Sequence, residues 1–530
     1  MNKGGNEVIK VLLLLVISLI NFYGLGQENE NFLSREDLKS IYEQMIAEIE
    51  YLDAEAIEVR NRLKNIKWEQ YVTYHKTNFL ASRNYEDLKK AFIAFGEGFT
   101  NGHSKFRFLY PIKKLESKSK SINRQIGFTY PGLSFFDIKT KKKIEAIDGY
   151  DMDSLFHQFQ NYQTNALTQL ASQNHFVSCI NQGKYTIKDD RPKQFRLSDH
   201  KVVNVIYNDA ESKTKRALYD EEVNTVYQDW NLIAKGYKTA VFIKDSIALV
   251  KIKNFGFKRS SSDLNCEGQF RDSTLCNDIQ IMRNALRTAK ERASYLIIDL
   301  QDNRGGNENT AFLKELCPYP FKDMSVQYRK TKMLQEDHFR LNVFYGFKGA
   351  EVWFDEIQNN GIFSTTKEGA FLPPRADFCR GAVNCDLKDI PLSDYNNYDF
   401  KTIIILVNEI TASSADDFTF RMKKYGKALI AGQPQSADLT FALVDVTFFL
   451  DKNNNLVKKY FSSEADESDL KAIFSFSIPY SKTINDKGKL LQGNPLELDL
   501  LIPITHDNYA DRYQHTLDTA VDKLIYNKKE

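Results

Sequence analysis

The segment ILVNEITASSADDF (residues 405–418) changes from an apolar run of β type to a helical pattern within a few residues. A continuous apolar run such as the one ending at Val407 is typical of a strand buried on both faces. Two serines, Ser413 and Ser414, stand at the junction. A serine at the head of a helix meets backbone amides and the positive end of the macrodipole, and both stabilise a developing anion. Ser413 is therefore a candidate nucleophile.

The same serines allow a second interpretation. Ser413 or Ser414 could cap the helix, with Asp416 or Asp417 completing a capping box. Taken alone, this is the more common use of such a sequence, and one serine could cap the helix while the other reacts.

Strand-like and helix-like segments alternate around this junction. The predicted strands are SIALVKIKNF, SYLIIDL, KTIIILVN and KALIAGQ, and the predicted helices are DIQIMRNALRTAKERA and SADDFTFRMKKYG. Continuous apolar strands that alternate with helices predict a mixed α/β fold with a parallel sheet covered on both faces. Open sheets of this kind bind ligands at the carboxyl ends of their strands, which is where the serine pair lies.

A second loop at a predicted strand end lies in IIDLQDNRGGNEN, where the strand leads into Asn303 and then Gly305 and Gly306. Glycines let bare backbone approach a ligand closely, so N–H groups in this loop could form an oxyanion hole. A glycine pair is also common in ordinary tight turns. The two loops together favour a serine hydrolase more strongly than either loop does alone.

YLIIDLQDNRGGN and IIILVNEITASSADDF, in that order, resemble the two signature segments of the C-terminal-processing (tail-specific) serine peptidases. SIALVKIKNF resembles the strand that opens the catalytic core of that family, so the resemblance covers roughly Ala240 to Thr505. It implies a β/α peptidase core with Ser413 as nucleophile. It also implies that the amides of Gly305 or Gly306 and of Ser414 face the oxyanion.

The general base separates two branches of that family. One branch places a Lys after a GxPTxGKG-like turn, where this chain has GQPQSADLT with Asp438, and a carboxylate cannot replace an unprotonated amine. The His-dependent, tricorn-like branch carries its base upstream, and GFTNGHSKFRF resembles that segment. The resemblance implies that His103 takes the proton of Ser413. A surface position at a helix-to-strand turn is the alternative for His103 and the preferred interpretation for the other histidines.

The remaining members of that branch's tetrad match less well. Gly102 stands where the branch places a small polar residue beside the His, although Ser104 is adjacent. For the tetrad Glu, LLQGNPLELDLLIP offers Gln492 by strict alignment and Glu497 a few positions later. An amide in the place of a triad acid costs about ten-thousandfold in rate. The sequence therefore predicts that either Glu497 orients His103 or activity is impaired.

The rest of the chain divides into three further parts. Residues 1–26 have Lys3 and Lys10, the apolar run VLLLLVISLI and a small-residue site, which together predict a secretory signal. The run is shorter than the roughly 20 residues of a membrane span. Residues 27–115 are predicted as a helical domain carrying the His, residues 116–235 as a β-rich module, and residues 236–525 as the peptidase core. KKKIEAIDGYDMDSLFHQF in the module resembles a degenerate PDZ-like segment, which implies capture of extended peptides.

Composition fits an exported globular protein. The chain of 530 residues has 72 basic and 70 acidic residues, and a formal charge of +2 does not suggest nucleic acid as a partner. No helix-borne HExxH and no paired CxxC occurs, so no metal or organic cofactor is implied. Six cysteines suit an oxidising compartment. Cys266 with Cys276 and Cys379 with Cys385 are possible loop disulfides, which leaves Cys179 and Cys317, and free buried thiols remain an alternative.

These observations predict a secreted or periplasmic serine endopeptidase that hydrolyses peptide bonds in extended or unfolded polypeptides. The alternative is a catalytically impaired peptide-binding protein on the same scaffold, which Gln492 and Gly102 favour. A different hydrolase on that scaffold is a third possibility.

Overall fold

The computed structural model describes residues 32–111, 120–187, 190–209, 225–256, 274–306, 309–319, 324–344, 348–375, 398–440, 442–453, 455–461, 469–485 and 487–527. The predicted signal segment and Cys266, Cys379 and Cys385 lie outside these ranges, and so does the side chain of Cys276. Cys179 and Cys317 are free thiols. Within the described ranges, no helix has both the length and the hydropathy of a membrane span.

In the N-terminal part, the described residues 32–108 form four helices followed by a short strand. Ser34 begins the first helix with a capping box, because its side chain accepts the N–H of Asp37 while the Asp37 carboxylate accepts the N–H of Ser34. The apolar faces of the helices pack on side chains from residues 326–372 and 442–480, so these helices share one hydrophobic core with later parts of the chain. The elements are α1 (Arg35–Leu52), α2 (Ala56–Leu63), α3 (Trp68–Leu80), α4 (Tyr85–Gly98) and β1 (Phe106–Phe108).

A smaller β-rich part follows, with two helices and a separate hydrophobic core. Short strands form one four-stranded sheet in the order β6-β5-β7-β8 and two two-stranded pairs, β2 with β9 and β3 with β4. Ile504 and Tyr509, from near the C-terminus, complete its core. Its elements are β2 (Lys120–Ile122), β3 (Ile126–Thr129), β4 (Ser134–Asp137), β5 (Ile144–Ile147), β6 (Tyr150–Asp151), α5 (Met152–Tyr162), α6 (Gln169–Asn181), β7 (Gln194–Leu197), β8 (Val202–Asn204) and β9 (Tyr207–Asp209).

The third part is built on a seven-stranded sheet in the order β10-β11-β12-β13-β15-β16-β21. The elements of this part of the chain are β10 (Asn231–Lys235), β11 (Thr239–Lys244), β12 (Ile247–Ile252), α7 (Thr274–Lys290), β13 (Tyr295–Asp299), α8 (Asn309–Leu316), β14 (Ser325–Tyr328), a 3₁₀ turn (Lys332–Gln335), α9 (Asp337–Phe344), α10 (Lys348–Asn359), α11 (Ile362–Thr365), β15 (Thr402–Val407), α12 (Ser414–Lys424), β16 (Leu429–Gly432), β17 (Leu443–Leu450), β18 (Leu456–Tyr460), β19 (Lys471–Pro479), β20 (Ser481–Ile484), β21 (Leu500–Leu501), α13 (Arg512–Ala520) and a π turn (Val521–Ile525).

The predicted α/β fold class is confirmed. Strands β12, β13, β15, β16 and β21 run parallel, each paired with the next. Residues of α7, α8 and α12 pack on one face of the sheet, and residues of α13 with Tyr227 and Trp230 pack on the other. Each predicted strand and helix of this region is present. Strands with apolar side chains on both faces need helices on both sides of the sheet, and this is the arrangement observed.

Two features of this topology position the loops of interest. The loops after β13, β15 and β16 emerge at the same edge of the sheet, because these three strands are parallel neighbours. A second sheet, in the order β1-β19-β17-β18, places β1 beside β19. The loop that precedes β1 carries His103, so the pairing of β1 with β19 brings the N-terminal part against the core.

Candidate active site

Ser413 occupies a sharp turn between β15 and α12. Its backbone has φ 59° and ψ −125°, and its side chain makes no cap hydrogen bond to the helix. A residue other than glycine is rarely found at positive φ, and such conformations concentrate at functional sites. Serine nucleophiles at a strand-to-helix elbow have this kind of strained turn, which exposes the hydroxyl. The interpretation of the Ser413 side chain as a helix cap is therefore wrong.

Ser414 and the two aspartates after it have other partners. The hydroxyl of Ser414 donates to the carbonyl of Gly306, which ties the elbow to the glycine loop. Asp416 accepts the backbone N–H of Asp438 at 3.1 Å. Asp417 pairs with Arg421 in the next turn of α12. In none of these contacts does a serine side chain cap the helix, although the Asp416 carboxylate also accepts the backbone N–H of Ser413, as the acid of a capping box does.

The glycine loop after β13 lies directly against the elbow. Gly305 has φ 82°, and a Cβ atom there would lie 2.7 Å from the Ala412 carbonyl oxygen, the Ser413 Cβ and the Ser414 nitrogen. Gly306 has φ 148°, and a Cβ atom there would lie 2.0 Å from the Gly256 nitrogen. Both positions require glycine, because backbone atoms occupy the space that a side chain would need.

We expect Gly305→Ala to distort the elbow. The added methyl group meets backbone that cannot rotate away, so the free energy of unfolding should fall by about 1–3 kcal/mol. Denaturant unfolding and the rate of fluorophosphonate labelling measure the effect. Gly488→Ala is the matched control, since Gly488 has φ 72° with nothing within 4 Å of the added Cβ. Equal stability and equal labelling of the two variants would contradict this account.

The amides near Ser413 are not equivalent. The N–H of Gly305 donates to the Asn303 side chain at 2.9 Å, so it is not available to an oxyanion. The N–H groups of Gly306 and Ser414 have no hydrogen-bond partner among the residues that the structure describes. Of the amides named from the sequence, these two remain candidates for the oxyanion hole.

His103 lies on the loop between α4 and β1 and contacts Ser413. The His103 Nε2 atom is 2.8 Å from the Ser413 Oγ atom, although the two residues are 310 positions apart in the sequence. The buried side chain of Asn101 accepts the N–H groups of His103 at 3.0 Å and Ser104 at 2.9 Å. This turn fixes the backbone that carries the imidazole.

Asp438 lies on the other side of the imidazole. Its Oδ1 atom is 3.2 Å from His103 Nδ1, and it also accepts the Gln492 side-chain amide at 2.7 Å. In the sequence Asp438 stands out only as a carboxylate at the lysine position of the other branch, and its contact with the imidazole is visible only in the structure. Its position after β16, the parallel neighbour of β15, was the available signal, because loops after neighbouring parallel strands meet.

The two acid candidates taken from the sequence do not orient His103. Glu497 is exposed, and its described contact is a backbone carbonyl that accepts the Lys423 side chain at 2.6 Å. Gln492 is fully buried and donates to Asp438, while its side-chain oxygen accepts the N–H of Leu439. Because the described contacts of both residues go to other groups, the prediction that Glu497 orients His103 is wrong. The carboxylate beside His103 comes from Asp438.

The electrostatics follow from these contacts. Burial acts to lower the pKa of His103, but the negative charge of Asp438 beside the imidazole outweighs it, so the pKa is raised above 6.5. Burial acts to raise the pKa of Asp438, but His103, the Gln492 amide and the Gly102 N–H outweigh it and lower the pKa. Burial raises the pKa of Asp416 well above its usual range. The carboxylate form of Asp438 is therefore the favoured one beside the imidazole.

A hydroxyl on a strained elbow, an imidazole and a carboxylate in a row constitute the arrangement of a serine hydrolase. The model of peptidase family S41 matches residues 246–444, which include both signature segments. Residues 246–444 thus resemble the catalytic core of the S41 peptidases, which supports a serine-type hydrolase.

Solved structures and curated sequences were also compared with the chain. The structure of mature CPAF complexed with lactacystin is similar to this chain with a TM-score of 0.58 at 13% identity, and the alignment covers 93% of this chain and 99% of that chain. Mature CPAF has a TM-score of 0.56 at 13% identity, with 94% and 98% covered. At this identity the likeness shows the fold alone. A search of curated proteins finds no match.

Proposed function

We propose that the protein is a serine endopeptidase in which Ser413 is the nucleophile and His103 the general base. The observation that carries this proposal is the 2.8 Å contact between Ser413 Oγ and His103 Nε2. In this mechanism, Nε2 takes the proton as Oγ attacks the scissile carbonyl and returns it to the leaving amine. Water then hydrolyses the acyl-enzyme by the same proton path in reverse.

The N–H groups of Gly306 and Ser414 are the proposed oxyanion donors. Ser414 is the first residue of α12, so its amide points out of the positive end of the helix. The bond from the Ser414 hydroxyl to the Gly306 carbonyl holds the two backbones in a fixed relation. One such donor contributes about 100- to 1000-fold in rate.

The proposed substrates are extended or unfolded polypeptides. Support comes from the resemblance of the two signature segments to the tail-specific peptidases and from the β-rich part, residues 116–235, which resembles a PDZ-like module that captures peptides by strand addition. We further propose that the chain is exported, on the basis of the signal pattern in residues 1–26. The proposed domain limits are residues 27–115, 116–235 and 236–525.

Fluorophosphonate labelling tests the nucleophile directly. We expect one phosphonylated residue per chain, which peptide mapping assigns to Ser413, because the imidazole activates that hydroxyl. Ser413→Ala should abolish labelling. Ser40→Ala, in an exposed position on α1, is the control and should label as the unmodified protein does.

The outcomes separate the competing functions. A folded protein that neither labels nor hydrolyses an unfolded polypeptide would be the peptide-binding protein that Gln492 suggested. Labelling with ester turnover but without peptide turnover would indicate a different hydrolase. Either result would reject the endopeptidase proposal.

A further inference from the structure

We propose that Asp438 is the positioning acid of this active site, and that Gly102 and Gln492 are the residues that accommodate it. The inference rests on the proposed function, because it assigns a role beside His103. It relocates the third member of the triad from position 492, where the resemblance to the tricorn-like branch placed it, to a loop on the neighbouring strand.

The imidazole of His103 lies between a carboxylate and a hydroxyl. Asp438 Oδ1 lies 3.2 Å from Nδ1, and Ser413 Oγ lies 2.8 Å from Nε2. A carboxylate at Nδ1 holds the proton on that nitrogen, which leaves the Nε2 lone pair directed at the hydroxyl. The same charge stabilises the imidazolium that forms when the proton is transferred. Asp438 therefore selects the productive tautomer of His103.

The absence of a side chain at Gly102 leaves room for the Asp438 carboxylate. A Cβ atom at this position would lie 2.0 Å from Asp438 Oδ2. The carboxylate cannot move aside freely, because it accepts the Gln492 amide on one side and has the imidazole 3.2 Å away on the other. Its position directly over the Gly102 backbone explains why the small polar residue of the tricorn-like branch is missing. A side chain at position 102 and a carboxylate at position 438 exclude each other.

The side-chain amide of Gln492 is oriented toward Asp438. Its side-chain oxygen accepts the N–H of Leu439, so its NH₂ group faces Asp438 and donates to Oδ1 at 2.7 Å. A Glu at position 492 would place two carboxylates in direct contact, and one of them would take up a proton. An amide is thus the suitable partner for a carboxylate at position 438. Gln492 supports the acid instead of replacing it.

Hydrogen bonds join the loop that carries Asp438 to the segments that carry Ser413 and His103. The Asp438 N–H donates to Asp416 Oδ2 at 3.1 Å, and Asp416 lies in the first turn of the helix that follows Ser413. The Thr440 hydroxyl donates to buried Glu55, which also accepts the Asn101 side chain at 3.3 Å. The loops of the acid, the base and the nucleophile are therefore connected directly. The distance between carboxylate and imidazole is determined by buried contacts.

Asp438→Asn in the full chain tests this role. We expect kcat to fall by about ten-thousandfold with KM changed little, because the amide favours the wrong imidazole tautomer. The acid limb of the kcat/KM profile should move to lower pH, since the charge that raises the pKa of His103 is removed. Asp355→Asn, at an exposed position on α10, is the matched control and should change neither quantity. A loss of kcat below about tenfold would overturn the proposal.

Gln492→Glu separates this arrangement from one in which position 492 supplies the acid. We expect lower turnover at neutral pH, because the two adjacent carboxylates share a proton and the charge beside the imidazole is diminished. Higher turnover than that of the unmodified protein would overturn the proposal. If Asp438→Asn does not fold, Gly102→Ala provides the second test, since its methyl group displaces the carboxylate and should lower kcat with KM retained.

A titration of His103 by NMR with isotope-labelled histidine separates this inference from the proposed function. In a Ser413→Ala background, which has no turnover, we expect the pKa of His103 to be above 6.5 and to fall when Asp438→Asn is added. If the pKa of His103 falls in this way but the unmodified protein shows neither labelling nor turnover, the proposed function is rejected and the positioning role is retained. An unchanged pKa of His103 would reject the positioning role whatever the activity.

Discussion

Ser413→Ala is expected to lower kcat for peptide-bond hydrolysis by about a million-fold, which is the size of effect seen when a triad nucleophile is removed. The fold should be retained, because the Ser413 hydroxyl contacts His103 and forms no helix cap. Single-turnover hydrolysis of an unfolded polypeptide measures the loss, and denaturant unfolding shows that the variant is native.

The control for this experiment is Ser40→Ala, an exposed position far from the site in the sequence. It should retain full turnover and stability. Residual activity of Ser413→Ala above about one per cent would exclude Ser413 as the nucleophile, since a triad serine contributes far more than a hundredfold.

His103→Ala is expected to lower kcat by a similar factor of about a million, because base and nucleophile act as a unit and the loss of either removes their joint contribution. Fluorophosphonate labelling of Ser413 should slow in parallel, since the hydroxyl loses the partner at 2.8 Å. His157→Ala is the control, because His157 is exposed on α5. Turnover within tenfold of the unmodified protein in His103→Ala would contradict the assignment of the base.

The same variant changes two pH profiles. Neutral imidazole is the active form, so kcat/KM of the unmodified protein should fall as the pH is lowered through a His103 pKa that is above 6.5, and this limb should be absent from the residual activity of His103→Ala. Because the folded pKa is above the unfolded one, protonated His103 stabilises the fold below pH 6.5, and this contribution is lost as the pH rises through the folded pKa. His103→Ala should therefore destabilise the protein more at pH 6 than at pH 9.

The apolar runs and the loops at the strand ends were sufficient to predict the core, the nucleophile and the glycine loop. The apolar runs that became β12, β13, β15 and β16 predicted a parallel sheet, because strands buried on both faces show the same pattern in any such sheet. The two loops at strand ends indicated the elbow and the glycines beside it. Resemblance, not periodicity, indicated His103, because a histidine at a turn carries no pattern of its own.

The acid could not be predicted in the same way. Asp438 is not at the position that the resemblance assigns to an acid, and its role depends on whether an imidazole lies within a few ångströms. Glu497 was near Gln492 in the sequence, but it is exposed in the structure. The amide of Gly305 was an equally good oxyanion donor in the sequence, and only the structure shows that the Asn303 side chain occupies it.

The sequence by itself determined the parallel sheet, the loops at its edge and the serine pair at the junction of strand and helix, because local spacing specifies these features. The tertiary structure decided which polar groups act together. The packing of the N-terminal helices on β17 and β19 brings His103 to Ser413, and the loop after β16 places Asp438 behind the imidazole. Contacts between residues hundreds of positions apart depend on how the layers pack, and they leave no periodic signal in the chain.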